Sequence, residues 1–141
     1  MKKVMFVGRY SAETCGPWPD FALISLNETG ASDGDAVIQE GWHDVLRLSF
    51  HDITALKPGE DYTLFNEEQA KQIVEFVKKV APVAEGIIVH CRAGISRSAA
   101  VAKWICSQYH IPFNAHYYKY NDFIFQLLVI AGQENDDSKE K

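Results

Sequence analysis

The stretch Gly86-Ile87-Ile88-Val89-His90-Cys91-Arg92-Ala93-Gly94-Ile95-Ser96-Arg97-Ser98 decides the fold of this chain. It opens with an unbroken apolar run, the pattern of a strand buried on both faces. Ala99 to Tyr109 follows with an alanine-rich helical pattern. Between them lies a tight loop with Gly94 as its turn residue. A loop closed by a helix start aims several backbone N–H groups at one point, and the helix dipole adds positive potential there. Such a cradle suits a phosphate or another oxyanion. Cys91 falls at its base, and Arg97 is placed to fork two oxygens of a bound phosphoryl group. The helix start, the loop amides and the Arg97 charge together predict a Cys91 pKa below the unperturbed ~8.5 of a thiol.

His90-Cys91-x5-Arg97-Ser98 resembles the signature of the cysteine-dependent protein tyrosine phosphatases. With Gly94 and Ser96 inside the loop it is similar to the small dual-specificity branch, and the chain looks like the bacterial and phage-type members. Alone, Cys91 would read as a small core thiol and Ser98 as a helix cap. Their neighbours displace both readings. The resemblance implies a phosphatase-type α/β fold, with a central, mostly parallel sheet flanked by helices and the phosphate loop between strand and helix. It implies Cys91 as nucleophile, Arg97 as phosphate holder, and a Ser98 hydroxyl that helps the thiolate leave. His90 would act through hydrogen bonds. The substrate-binding set is Arg92, Ala93, Gly94, Ile95, Ser96 and Arg97, and Arg92 and Ile95 would touch substrate at the mouth.

Cleaving a phosphate ester also needs an acid for the leaving oxygen. The family uses an aspartate on an upstream loop, and Asp52 and Asp61 are the candidates. They precede Cys91 by 39 and 30 residues, and the shorter spacing is nearer the dual-specificity norm. Asp52 instead directly follows a strand, as Phe50-His51-Asp52-Ile53, and bacterial and phage-type relatives carry a similar Phe-x-Asp-Ile. Asp52 is the preferred acid on that placement. Asp44 lies at the wrong end of its strand.

Around the motif, Lys3–Val7, Phe21–Leu26 and Val45–Phe50 read as strands. Arg9 to Asp20, with Cys15-Gly16-Pro17 and Trp18-Pro19, reads as a loop. Arg9, Tyr10 and Ser11 would border the pocket rim. Asn27 to Asp35 reads as a surface turn, and Ala36 to Glu40 as either strand or helical turn. Ile53 to Phe65 is a long connection of the kind that often carries function. Asn66 with Gln69 three residues on marks a helix start, and Ala70, Ile73, Val74, Val77 and Val80 line one helical face. His110-Ile111-Pro112 breaks the motif helix. Asn114 to Ile130 reads as a last amphipathic helix stopped by Gly132, with Tyr117, Tyr118 and Tyr120 as core or helix surface. Residues 1–132 then form one phosphatase domain and 133–141 a charged, disordered tail. Alternating strands and helices place helices on both faces of the sheet.

The formal charge of −5 argues against a general nucleic-acid binder, which is usually basic. No stretch is long and apolar enough to span a membrane, and Val4 to Val7 is too short for a signal-peptide core. Three cysteines without disulfide-like or metal-like spacing fit a reducing cytoplasm. The chemistry requires no metal and no cofactor. The expected activity is hydrolysis of phosphotyrosine, and of phosphoserine or phosphothreonine if the pocket is shallow, through a cysteinyl-phosphate. Phosphorylated proteins are the expected partners, with neither nucleic acid nor membrane. The alternative substrates are a phosphoinositide, a nucleotide or an RNA end. The loop lacks the lysines usual in lipid-directed relatives, and Ser96 stands where RNA-directed ones carry Asn. A phosphate-binding module without turnover would need a lost cysteine, arginine or acid.

Overall fold

The computed structural model describes residues 1–53 and 62–139, the last four as helical backbone. The strands are β1 (Lys3–Val7), β2 (Phe21–Asn27), β3 (Asp44–Ser49) and β4 (Gly86–His90). The helices are α1 (Arg9–Thr14), α2 (Glu67–Val80), α3 (Arg97–Tyr109) and α4 (Asp122–Lys139). The strands form one all-parallel sheet in the order β1-β4-β2-β3. β4 therefore has a strand on each side, and all five of its residues are buried. That is the physical reason for its apolar run, and it makes the C-terminal end of β4 a rigid base for the loop that follows.

Side chains alternate across the sheet. Ala22, Ile24 and Leu26 of β2 and Ile87 and Val89 of β4 face the large core shared with α2, α3 and α4. Leu23 and Ile88 face the other way, packed with Trp42, Met5, Val7, Cys15 and Ile38. The expectation of helices on both faces is thus met unevenly. Three long helices cover one face; short α1 and the irregular segment carrying Ile38 and Trp42 lie toward the other. The Gly-, Asp- and Ser-rich residues after β2 have no helical periodicity, and Ala36 to Glu40 forms neither strand nor helix.

The α2 boundaries follow the sequence signals. Asn66 Oδ1 accepts the Gln69 N–H at 2.9 Å, Glu67 and Glu68 occupy the first turn, and Lys78 and Lys79 the last, each matching the helix dipole. The expected apolar stripe is buried. His110 ends α3 in the left-handed region at φ 55°.

Three expectations need correction. Arg9–Thr14 is helical, where the Gly and Pro residues downstream suggested loop throughout. This short helix has no side-chain cap and starts where Arg9 N–H meets the Arg92 carbonyl at 3.0 Å, a tertiary contact. The last helix starts at Asp122, with Asn121 Oδ1 accepting the Ile124 N–H at 3.1 Å, so the tyrosines at 117, 118 and 120 precede it. Gly132 does not stop α4, which continues through the expected tail to Lys139. Gly132 lies against the Trp104 ring, where a Cβ would come within 3.1 Å, so close packing explains the residue better than termination. Lys78 also donates to Asn135 from α2, tying down the helical extension. No helix of the described residues is long and apolar enough to cross a membrane.

Candidate active site

The loop from Cys91 to Ser96 is fixed by backbone contacts before any side chain acts. Cys91 N–H donates to the Val7 carbonyl at 3.3 Å, and the Arg9 N–H to the Arg92 carbonyl at 3.0 Å. Gly94 has φ +73°, and a Cβ there would fall 2.4 Å from Gly8 N and 2.5 Å from the Val7 carbonyl carbon. Only glycine fits, because both the dihedral and the close approach to β1 exclude a side chain. On the outer side, Tyr117 Oη donates to the Ile95 carbonyl at 2.5 Å, and Asn121 N–H to the Ser96 carbonyl at 3.1 Å. Tyr117 is therefore part of the loop's support; its sequence context suggested only core or helix surface.

Cys91 is buried, 3% exposed, at the base of the loop. Its Sγ lies 3.1 Å from Ser98 Oγ and accepts the Gly94 N–H at 3.3 Å. Burial pushes the thiol pKa up. Hydrogen bonds from the Ser98 hydroxyl and backbone, the Gly94 N–H and the Arg97 charge outweigh it, and the net shift is downward. Ser98 thus turns inward to the sulfur and is not a helix cap.

Behind the cysteine a line of buried polar groups fixes the strand ends. The β2–β4 register sets Ser25 beside His90, and Ser25 Oγ lies 2.5 Å from His90 Nε2. His90 Nδ1 lies 3.2 Å from the Cys91 carbonyl. Burial lowers the His90 pKa, so the ring is neutral. A carbonyl only accepts, so Nδ1–H donates to it and Nε2 accepts from Ser25. Asn27 Nδ2 donates to Ser25 Oγ at 3.1 Å, and Asn27 Oδ1 accepts the Ala36 N–H at 2.9 Å. His90 thereby ties the Cys91 carbonyl to Ser25 of β2.

Arg97 is 3% exposed. One Nη donates to the Phe50 carbonyl at 2.9 Å, and the other lies 3.7 Å from Glu28. Its Nε has no hydrogen-bond partner among the described residues. A buried guanidinium N–H without an acceptor is costly, and this one can take an oxygen that enters beside Cys91.

A cleft of about 340 Å³ opens over these groups, lined by Glu28, Asp52, Ala93, Ile95 and Ser96 together with Cys91, Arg92 and Arg97. On the opposite side, under the residues that follow β2, the free space near Cys91 is only about 10 Å³. A phosphoryl group therefore has room from the Asp52 side. Asp52 Oδ1 accepts from Ser96 Oγ at 2.9 Å and from Asn121 Nδ2 at 2.9 Å. Asn121 Nδ2 also lies 3.2 Å from the Ile53 carbonyl. Buried Asn121 thus joins the start of α4, the end of the phosphate loop and the segment carrying Asp52. The competing acid, Asp61, lies outside the described residues.

Arg92 is at the cleft mouth, as expected, and is already paired. Its guanidinium is turned to Asp33, with Nη1 and Nη2 on the two carboxylate oxygens at 3.0 and 2.8 Å. The acidic segment after β2 holds it there, a long-range pairing that local sequence does not reveal. Arg9 does not line this cleft; it lies on the narrow side near Cys91, bonded to the carbonyls of Gly34 and Asp35 at 2.9 and 3.0 Å. Sequence reasoning missed Glu28, Asp33, Asn121, Ser25 and Asn27. Only the place of Asn27-Glu28 at the C-terminal end of a parallel strand could have flagged any of them. Among the described residues, no group of three or more His, Cys, Asp or Glu side chains could hold a metal ion.

No protein-family model and no curated protein matches the chain in sequence. Its structure is similar to the human tyrosine phosphatase-like serine/threonine/tyrosine-interacting protein, with a TM-score of 0.61, 17% identity, and 98% of this chain and 93% of that one covered. It is similar to human DUSP28, with a TM-score of 0.56, 14% identity, and 96% and 94% of the two chains covered. It is also similar to PTPMT1 in complex with PI(5)P, with a TM-score of 0.54, 19% identity, and 84% and 80% covered. The chain has the fold of these phosphatase structures.

Proposed function

We propose that this chain is a cysteine-dependent phosphatase that hydrolyses phosphotyrosine in proteins, and phosphoserine or phosphothreonine where these reach the sulfur. One observation carries the reading. A buried Arg97 offers an unpartnered Nε next to a cysteine whose pKa is lowered, inside a loop of converging amides. That combination serves an attack on a phosphoryl group better than it serves stability, since the orphaned N–H costs free energy until an anion arrives and the lowered thiol pKa favours the attacking thiolate.

The Cys91 thiolate attacks phosphorus as the P–O ester bond breaks. The Arg97 guanidinium and the loop amides take the charge on the equatorial oxygens. Asp52, in its acid form, gives its proton to the leaving oxygen. The resulting Asp52 carboxylate then takes a proton from water, whose oxygen attacks the cysteinyl-phosphate. The S–P bond breaks, phosphate departs, and the Ser98 hydroxyl donates to the returning thiolate. Ser96 and Asn121 hold Asp52 over the cleft. No step needs a metal or cofactor, and an active thiolate suits a reducing compartment such as the cytoplasm.

The phosphoinositide alternative draws on the neighbour solved with PI(5)P. Against it, this loop has no lysine, and Arg92, the cation next to Cys91, is held by Asp33. The deciding experiment is turnover of p-nitrophenyl phosphate and a phosphotyrosyl peptide by the intact chain and by Cys91→Ser. Turnover by the first alone, with cysteinyl-phosphate trapped on Cys91, is the expected result. Phosphopeptide binding without turnover would replace the reading with a binding module.

A further inference from the structure

Of the three arginines near Cys91, Arg9 and Arg92 are held by Asp33. Arg92 is clamped by both Asp33 oxygens, and its Nε lies 3.7 Å from Glu28. Arg9 lies 3.3 Å from Asp33 and 3.4 Å from Glu13, and donates to backbone carbonyls of the same acidic segment. Arg97 donates to the Phe50 carbonyl and lies 3.7 Å from Glu28, and its buried Nε has no hydrogen-bond partner among the described residues. Glu13, Glu28 and Asp33 pair with these guanidiniums, and Asp52 lines the cleft that Arg92 and Arg97 also line.

We infer that the acidic segment after β2 restricts this site to phosphomonoesters in neutral or basic surroundings, with Asp33 as the specificity-determining residue. The inference rests on the phosphatase reading above and names the substrate class within it. One phosphoryl group needs only Arg97 and the loop amides. A second anionic group beside it, whether an acidic flanking residue or a ring phosphate, meets Glu28 and Asp33, while the Arg92 fork that would receive it is occupied. Asp33 is half exposed, so its field reaches beyond the cleft. The Arg92 hydrogen bonds hold its carboxyl down to about 2, so the clamp stays charged at any working pH. A peptide with lysine or arginine flanking the phosphoresidue instead finds carboxylates to face, and complementary fields of this kind act on encounter and on register.

The test compares kcat/KM for phosphotyrosyl peptides of equal length with lysine, serine or glutamate flanks, a short-chain phosphatidylinositol bisphosphate, and p-nitrophenyl phosphate. The wild-type chain is expected to favour the lysine-flanked over the glutamate-flanked peptide by about tenfold at low salt, and much less at about 1 M salt, where the screening length is ~3 Å. Asp33→Ala is expected to shrink that ratio by about fivefold and to leave p-nitrophenyl phosphate turnover within about twofold. Equal rates on the two flanks, faster turnover of the bisphosphate than of the serine-flanked peptide, or an unchanged ratio in Asp33→Ala would each overturn the inference while p-nitrophenyl phosphate is still turned over. Failure of the wild type on p-nitrophenyl phosphate would overturn the phosphatase reading itself, and the inference with it.

Discussion

Replacing Ser98 by alanine is expected to make Cys91 a weaker acid, by an amount that the geometry bounds. The Ser98 hydroxyl lies 3.1 Å from the sulfur, and it is among the groups that lower the thiol pKa against the cost of burial. A hydrogen bond to a charged group contributes about 1.5–3 kcal/mol. The Gly94 N–H at 3.3 Å, the Ser98 backbone and the Arg97 charge all survive the substitution, so the lower end of that range applies. Since each 1.36 kcal/mol corresponds to about one decade, Ser98→Ala should lower the thiolate fraction roughly tenfold at any pH below the thiol's own pKa. The sign is fixed because the lost bond favoured the thiolate, so the alkylation profile moves to higher pH. The assay is the pH dependence of iodoacetate alkylation at Cys91, followed by mass spectrometry with Cys15 replaced by serine to remove a half-buried competitor. A superimposable profile in Ser98→Ala would refute the claim that this hydroxyl stabilises the thiolate. The same substitution should slow breakdown of the phosphoenzyme more than its formation, so a burst of p-nitrophenol should appear.

Asp52→Asn should reduce kcat on a phosphotyrosyl peptide by about 10²-fold or more, and less on p-nitrophenyl phosphate, whose leaving group needs less protonation. An equal loss on both substrates would remove Asp52 from the acid role. Asn121→Ala, which frees Asp52 from one of its two donors, should show the same leaving-group dependence in milder form, measured across a series of aryl phosphates of rising leaving-group pKa. Gly94→Ala should abolish both activity and orthovanadate binding, because its Cβ would meet Gly8 N at 2.4 Å and the Val7 carbonyl carbon at 2.5 Å; retained vanadate binding by calorimetry would contradict the loop geometry. His90 is held neutral by burial, so the unfolded chain binds more protons than the folded one below the ordinary histidine pKa of 6.5. Stability from this group is present above pH 6.5 and lost as pH falls from there through the depressed folded value, and denaturant titrations of wild type and His90→Gln should diverge across that window.

Much of the site was legible before any coordinates. Strand, loop and helix around Cys91 follow from an apolar run, a turn glycine and an alanine-rich pattern, because buried parallel strands and helices impose those local signals. Gly94 could be assigned from sequence because glycine at a loop apex answers a backbone requirement. The α2 cap and stripe were readable for the same reason, being set by residues within a turn or two of one another. The elements misread were those whose ends depend on distant partners. α1 begins on a contact with the phosphate loop, α4 begins on Asn121, and Gly132 stays helical because Trp104 packs on it.

The sequence by itself determined which residues share the loop after β4, since Cys91, Gly94, Arg97 and Ser98 all lie within one short segment whose geometry is local. Only the tertiary structure decided what those residues face. Asp52 reaches the cleft because β3 runs parallel to β4 and ends at the same C-terminal end of the sheet, and Asn121 and Ser96 hold it there. Arg92 turns to Asp33 because the segment after β2 folds over the loop. Ser25 meets His90 because β2 and β4 pair in one particular register. Charges and hydrogen bonds act through space, across separations of 44 to 69 residues at this site, and no local pattern encodes those distances.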